Sequence, residues 1–461
     1  MNSPDSSSAD IPGRPHDAMS KGSVGSAVRD EAATDTVSTR AEAGGTPAGS
    51  ESEGVGLTPS IPRRLLPSLA LVNTGLLFVQ LGVMAILVPN LIVTIDPSGK
   101  VGSLALATTV AGLVSMLAQP LVGALSDRTR SRFGRRTPWI VVGAVLAGGS
   151  LLAMTGIRSV LAVTIVMTIF QLTAAAAGAP LSAVPADRIP ASRLGAASGV
   201  IGLGINVGAV LGMVAAARLA AQLDVAFAVF GLLITVVLLL FVLLNREEST
   251  ADLERVPFDW RAFLRGFWIS PRKHPEFALV FVARFLFVLC FYLPFTFQLY
   301  ILTDYVKMDI GSANSKIAIL SLIALIPTAL GLLGGCFSDR VGRRKPFIYA
   351  ASFFMLISYV FPLIMPNLAG VATMLMISSL GFGLYMAADA AFMIQLLPDR
   401  SGAAGKDLGI LNVATQGPQA LSAAIGAVLI SSLGGYPGLF VSGMIASLLA
   451  AVVIIPIKSV R

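Results

Sequence analysis

Two ionisable residues stand where ionisable residues are expensive. Arg284 and Asp389 each lie inside a long apolar run of the chain, and a charge held in hydrocarbon marks a functional site by default. A carboxylate in such a place can take up and release a proton. It can equally pair for good with the guanidinium and hold two segments together, and the residue types allow either role. Asp389 closes the stretch Gly381-Phe-Gly383-Leu-Tyr385-Met-Ala-Ala-Asp389, which adds helix flexibility and a phenol. Neutral polar residues interrupt the other apolar runs. Asn73, Gln80, Gln119, Gln171 and Asn206 do so in the first half of the chain, and Gln298, Tyr300, Tyr385, Asn412, Gln416 and Gln419 in the second. Amides and phenols donate and accept hydrogen bonds, which suits a hydroxylated solute; bonding between helices would use the same groups. The histidines, His16 and His274, lie outside the apolar runs and offer no metal cluster or catalytic constellation. The two cysteines, Cys290 and Cys336, lie inside them and read as small packing residues rather than a disulfide framework.

The elements that carry these residues follow from composition. Of 461 residues, 55% are hydrophobic and only 13% are charged, against roughly 25% charged in a soluble domain. That is too little charge to cover a water-soluble surface. The apolar residues gather in runs close to the ~20 residues a helix needs to cross a bilayer. They lack the polar/apolar alternation of barrel strands. A lipid-exposed backbone must satisfy its own hydrogen bonds, so the runs are helices. Twelve spans are expected, over 66–95, 103–125, 138–155, 160–184, 195–217, 225–244, 277–302, 315–337, 346–365, 369–397, 408–433 and 437–457. Residues 1–62 are rich in Ser, Gly, Ala, Thr, Asp and Glu, with no aromatic residue, and read as a disordered tail without the apolar core of a signal peptide. Residues 63–245 then form a first six-helix bundle, 246–276 a polar linker and 277–461 a second bundle. Within the linker, residues 256–268 mix aromatic and basic side chains in the manner of an interfacial amphipathic helix.

Loop charges set the orientation. Lys and Arg crowd the loops on one side, and the other side holds only Lys100, Arg158, Arg218, Lys307 and Lys316. The rich side is expected to be cytoplasmic, with both termini there. The net charge of +8 is therefore a topology signal and does not imply nucleic-acid binding. The same loops reveal a duplication. Gly123-Ala-Leu-Ser126-Asp127-Arg128 followed by Gly134-Arg135-Arg136-Thr137-Pro138 recurs as Gly335-Cys-Phe-Ser338-Asp339-Arg340 followed by Gly342-Arg343-Arg344-Lys345-Pro346. Asp127 and Asp339 lie 212 positions apart, and so do Asp187 and Asp399 in a second matching pair of loops. Six spans per repeat give both halves the same orientation, a parallel repeat about an axis along the membrane normal.

This repeated loop resembles the signature cytoplasmic loop of the major facilitator superfamily. The resemblance implies an all-α membrane protein with twelve transmembrane helices in two six-helix bundles, working as a secondary active transporter. It implies a gate built from Gly123, Asp127, Arg128, Arg135 and Arg136 in one half, and from Gly335, Asp339, Arg340, Arg343 and Arg344 in the other. The glycines would admit close helix approach, and Asp127 and Asp339 would cap a helix start in the opposite half. Pro138 and Pro346 suit the first turn of the following helices. In the superfamily the first, fourth, seventh and tenth helices line the cavity, which favours Gln80, Gln171, Gln298 and Asp389. The expected substrate contacts are Asn73, Gln80, Gln171, Asn206, Gln298, Tyr385 and Gln416, with Asp389 and Arg284 as the proton-coupling pair. Gly195, Gly199, Gly204, Gly208 and Gly212 form a small-residue face on the fifth helix, expected to meet Gly331, Gly334 and Gly335 of the eighth.

The insertion Thr129-Arg-Ser-Arg132-Phe133 in the first loop, and the stretch Gly405-Lys406-Asp407-Leu408-Gly409, resemble the sucrose-type and glycoside–pentoside–hexuronide symporters. That implies proton-coupled uptake of a sugar or glycoside. The chain departs from the sucrose group in carrying no acidic residue in the fourth span and only Asp96, at the outer end, in the first. The rival readings are a proton-antiport exporter of drugs or metabolites and, more remotely, a transport-dead receptor or a channel. A membrane enzyme would need a nucleophile–base pair or metal ligands, and the spans offer none. The expected partners are a small-molecule substrate and the lipid bilayer of the cell membrane, with no nucleic acid. The chain is expected to be monomeric, with no cofactor other than the coupling proton.

Overall fold

The computed structural model describes residues 64–252, 272, 274–341, 344–396 and 404–457, with side chains except at 191–192, 335–341, 390–396 and 404–412. The expected tail over 1–62 and the interfacial helix over 256–268 lie outside the described residues. The described chain is helical throughout. The first half holds α1 (Leu65–Gly82, continued through Val83–Leu87 to Val88–Ile95), α2 (Lys100–Arg128), α3 (Thr137–Ala153), α4 (Val160–Arg188), α5 (Ala191–Leu219) and α6 (Leu223–Leu244). The second holds α7 (Pro275–Thr296), α8 (Ile310–Val341), α9 (Lys345–Ser358, continued as Val360–Ile364), α10 (Leu368–Leu396), α11 (Ala404–Ser432) and α12 (Tyr436–Ile454). Eleven of these are long and apolar enough to cross a membrane, and α3, at 17 residues, is a shorter apolar helix. At 1.5 Å per residue α3 reaches about 25 Å, a little less than the ~30 Å hydrocarbon core. Large apolar side chains such as Leu161, Leu203, Leu243 and Leu333 point outward into what must be lipid.

The packing repeats with the sequence. In the first half α1 packs on α5 and α6, α2 on α4, and α3 on α4 and α6. In the second, α7 packs on α11 and α12, α8 on α10, and α9 on α10 and α12. The halves meet where α2 touches α11 and α5 touches α8. Pro138 and Pro346 occupy the first turns of α3 and α9, where a missing N–H costs nothing.

The glycines pack differently from expectation. Gly204, Gly208 and Gly212 of α5 face Ala70, Thr74 and Phe78 of α1 in the same half, and a Cβ at Gly208 or Gly212 would overlap a backbone carbonyl of α1. Gly331 and Gly334 likewise face Leu380 and Leu384 of α10 rather than α5. Gly195 and Gly199 have nothing within 4 Å of where a Cβ would sit. Close backbone approach therefore consolidates each half, and it also joins them at one place, where Gly112 of α2 meets Ala420 of α11 so closely that a Cβ on the glycine would lie 3.1 Å from the alanine Cα.

Proline irregularities shape α7. Pro294 lacks the N–H that would bond Cys290, and that freed carbonyl accepts the Tyr359 hydroxyl of α9 instead. The helix ends at Thr296, short of the expected residue 302, because Phe297 leaves helical geometry at φ −104° and ψ 16°. The chain resumes as a short turn, Gln298–Tyr300, and then a π-helical turn, Ile301–Tyr305. The first half carries a matching π turn, Val83–Leu87, within α1. Such turns shift side-chain register and often mark functional places.

Candidate functional site

A cavity lies between the halves. From the first half it is lined by Gln80 of α1, Thr108 and Ser115 of α2 and Gln171 of α4. From the second come Tyr292, Phe295 and Thr296 of α7, with Gln416 and Gln419 of α11. The space measures about 710 Å³ when the solvent at its open side is counted in. None of the described residues lining it is charged. Two of its hydroxyls are engaged. Thr108 donates to the Leu104 carbonyl at 2.7 Å, and Thr296 donates to the Tyr292 carbonyl at 3.0 Å and lies 3.1 Å from the Ser422 hydroxyl. The second-half wall is aromatic. Tyr292 and Phe295 meet edge to face at 5.7 Å, and Phe291 behind them stacks on Phe382 at 4.0 Å.

Of the expected contacts, Gln80, Gln171 and Gln416 line this cavity together. The others do not. Asn73 and Asn206 turn their amides back to the carbonyls of Leu69 and Gly202 on their own helices. Gln298 is buried in the short turn beyond Phe297, with its Nε2 unpartnered. Tyr385 is sealed behind α7, its ring stacked on Phe287 at 3.7 Å. Sequence reasoning misses Tyr292, Phe295 and Thr296. Their spacing along one helix face is visible, but an aromatic stripe in an apolar run reads equally as core.

Arg284 and Asp389 meet. The guanidinium of α7 holds the Asp389 carboxylate of α10 at 2.5 Å, with side-chain exposures of only 13% and 2%. Its Nε and Nη2 also donate to the Thr415 hydroxyl of α11, at 3.1 and 2.9 Å. The pair thus ties three helices of the second half, and Thr415 adjoins Gln416 of the cavity wall. Along α7, Arg284 precedes Tyr292 by eight residues, about 12 Å at 1.5 Å per residue. The charge therefore sits off the cavity, toward the end of the bundle that carries the Arg-rich loops.

The opposite end is closed. Asn90 of α1 and Asn314 of α8 exchange reciprocal amide bonds at 2.9 Å, and the Tyr300 hydroxyl donates to the Pro89 carbonyl at 3.1 Å. Lys100 at the start of α2 pairs with Asp304 at 2.6 Å, and Tyr436 of α12 donates to the other Asp304 oxygen at 2.8 Å. Partial burial works against the Asp304 charge. The hydrogen bonds from Lys100, Tyr436 and Thr303 outweigh it and hold the carboxyl below its usual range. Nearby, Asp96 is also held low, by hydrogen bonds from Ser103 and the Gly99 backbone. The Asn90–Asn314, Tyr300–Pro89 and Lys100–Asp304 bonds join the two halves at this end. Nothing in the sequence alone pairs Asn90 with Asn314, 224 positions away.

At the basic end, Arg136 is buried against the Pro180 carbonyl at 3.0 Å and Asp187 at 2.5 Å, with Asp127 3.7 Å away. Arg135 also pairs with Asp187. Asp127, 58% exposed, finds its ionic partner in its own half. Arg128 is exposed on the last turn of α2. Among the described residues, nothing lies within 4 Å of where a Cβ on Gly123 would sit. Glu247, just past α6, accepts the backbone N–H groups of Arg136 and Thr137 at 2.9 and 3.0 Å, capping α3. Gly134, at φ +91°, leaves room for that carboxylate. Of the second-half gate, Arg343 lies outside the described residues, and Gly335, Asp339 and Arg340 are described in backbone only, on the last turns of α8. Arg344 precedes α9.

No curated protein matches the chain in sequence at a significant level. The family model described as Major Facilitator Superfamily matches residues 71–405. Among solved structures, the nucleoside transporter NupG aligns at TM-score 0.66 and 13% identity, over 86% of this chain and 100% of its own. A D-xylose-proton symporter aligns at 0.61 and 16% identity, over 84% and 97%. A bacterial homolog of the human lysosomal transporter Spinster, inward-facing and unoccupied, aligns at 0.60 and 15% identity, over 85% and 94%. At these identities the likeness is one of fold.

Proposed function

The chain belongs to the major facilitator superfamily and is a transporter of small solutes, and on that premise we propose that it takes up a neutral hydroxylated solute, a sugar or glycoside, in symport with protons. The observation that carries the substrate class is the cavity wall, with four glutamines, several hydroxyls, two aromatic rings and no charged side chain among the described residues. Amides match a hydroxylated rim in both donor and acceptor sense, and aromatic rings suit the apolar face of a sugar ring. A drug exporter for cations would call for an acidic cavity. The sucrose-type loop and the fold shared with a D-xylose-proton symporter agree with this reading.

Asp389 is the proton carrier in this reading. Its protonation releases Arg284, which then bonds Thr415 alone and shifts the α11 segment that presents Gln416 to the solute. The halves rock about the α2–α11 and α5–α8 contacts. The Arg-rich end faces the cytoplasm, with both termini there, and the Asn90–Asn314 and Lys100–Asp304 layer closes the outside. The protein acts as a monomer in the cell membrane.

The test is reconstitution in liposomes with an inward proton gradient, following internal pH as mono- and disaccharides are added. Protein-dependent alkalinisation on addition of one sugar is the expected result. Silence across the whole sugar panel, with a response to cationic amphipaths, would replace symport by export.

A further inference from the structure

One cavity group is left unsatisfied. Gln171 is 5% exposed, lines the cavity, and has an Oε1 without any hydrogen-bond partner. A buried polar atom without a partner is costly, and each such atom in a native fold calls for an explanation. The neighbouring hydroxyls of Thr108 and Thr296 bond carbonyls of their own helices instead. Gln171 projects from α4, one of the helices that faces the other half across the cavity. The aromatic rings of Tyr292 and Phe295 belong to that other half.

We propose that Gln171 is the specificity-determining contact, an amide reserved for one ring hydroxyl of the solute while the apolar face of the same ring lies on Tyr292 and Phe295. This rests on the transport reading above and adds which hydroxyl-bearing ligand the site selects. A hydroxyl fits both ends of the amide, since rotation about the last side-chain bond presents either Oε1 or Nε2 to the same place. A solute lacking that hydroxyl leaves the amide unpaired. It is rejected because the desolvation cost is then never recovered.

The experiment uses the full chain in liposomes, with the sugar that gives the strongest alkalinisation and its complete set of monodeoxy analogues. Wild type is expected to show one analogue with KM raised about tenfold to a hundredfold and maximal rate little changed. Gln171→Met keeps the volume and removes the amide. It is expected to raise KM for the parent sugar by a similar factor and to transport parent and that one analogue alike, while still discriminating the others. Gln171→Glu restores an acceptor and should recover part of the preference. A Gln171→Met variant that transports the sugar with wild-type KM, or that loses affinity equally for parent and every analogue, overturns the assignment and leaves symport standing. A wild type that responds to no sugar overturns the sugar-symport reading, and this assignment with it.

Discussion

Replacing Asp389 by Asn separates a proton carrier from a structural pair. The substitution keeps the shape and the hydrogen-bond acceptor for Arg284 but removes the charge and the titration. The pair is buried on both sides and closed at 2.5 Å, so uncoupling it costs at most about 3–5 kcal/mol. The two bonds from Arg284 to Thr415 remain and reduce that cost. For one proton carried per solute, one pH unit of gradient is worth 1.36 kcal/mol, or about tenfold accumulation. Wild type in liposomes at one unit is therefore expected to reach an internal excess of about tenfold. Asp389→Asn is expected to equilibrate at a ratio near one, while exchanging labelled for unlabelled solute across the membrane at close to the wild-type rate. The double variant Arg284→Met with Asp389→Leu removes both charges and should fold as well as wild type yet still not accumulate. Tenfold accumulation by Asp389→Asn, or by the double variant, would refute proton carriage and leave the pair a structural tie.

Four further outcomes follow from the geometry. Asp304→Asn removes one ion pair and one phenol bond from the closure opposite the Arg-rich loops, about 1–2 kcal/mol together. A cysteine at Thr296, with Cys290 and Cys336 changed to Ser, should then react with an external impermeant maleimide about 5–30-fold faster; an unchanged rate would show that the layer is no lock. Because Asp304 is held below the usual carboxylate range, its contribution is present above the unfolded value near 3.9 and fades only as pH falls through the lower folded value. The ratio of this labelling rate between the Asp304→Asn form and its Asp304 parent, both carrying Thr296→Cys so that thiolate titration cancels, should thus be flat from pH 5 to 8, and a drift across that window would contradict it. Gly208→Val should destabilise the protein by about 1–3 kcal/mol through overlap with the α1 backbone, seen as a lowered Tm in detergent, whereas Gly199→Val should be nearly neutral, and equal effects would refute the packing argument. Glu247→Ala strips the cap from α3 and should cost about 1 kcal/mol, read in the same unfolding assay, with no change in Tm as the disproof.

Much of the architecture was readable before any coordinate. The apolar runs, the loop arginines and the 212-residue offset between Asp127 and Asp339 follow from rules that act locally, and they reappear as helices with duplicated packing. The Arg284–Asp389 pair was readable as a possibility because two charges in hydrocarbon have few other options. The fate of the neutral polar residues was not. Gln80, Gln171 and Gln416 reach the cavity, whereas Asn73 and Asn206 fold back on their own helices, and nothing in residue type separates the two groups. The glycines of α5 were visible as a packing face, but their partner turned out to be α1 in the same half.

The sequence by itself determined that the chain crosses a membrane as helices, because hydrocarbon leaves a polar backbone no alternative, and that it does so twice over in parallel halves. Only the tertiary structure decided which face of each helix looks inward. One residue turns a helix by about 100°, so a π turn at Val83–Leu87 or a break at Phe297 re-aims every side chain beyond it. Those rotations are set by distant contacts, glycine against carbonyl and tyrosine against a carbonyl freed by proline. They brought Asn90 to Asn314, left Gln298 sealed in a turn, and set Gln171 at the cavity with one oxygen still unpaired.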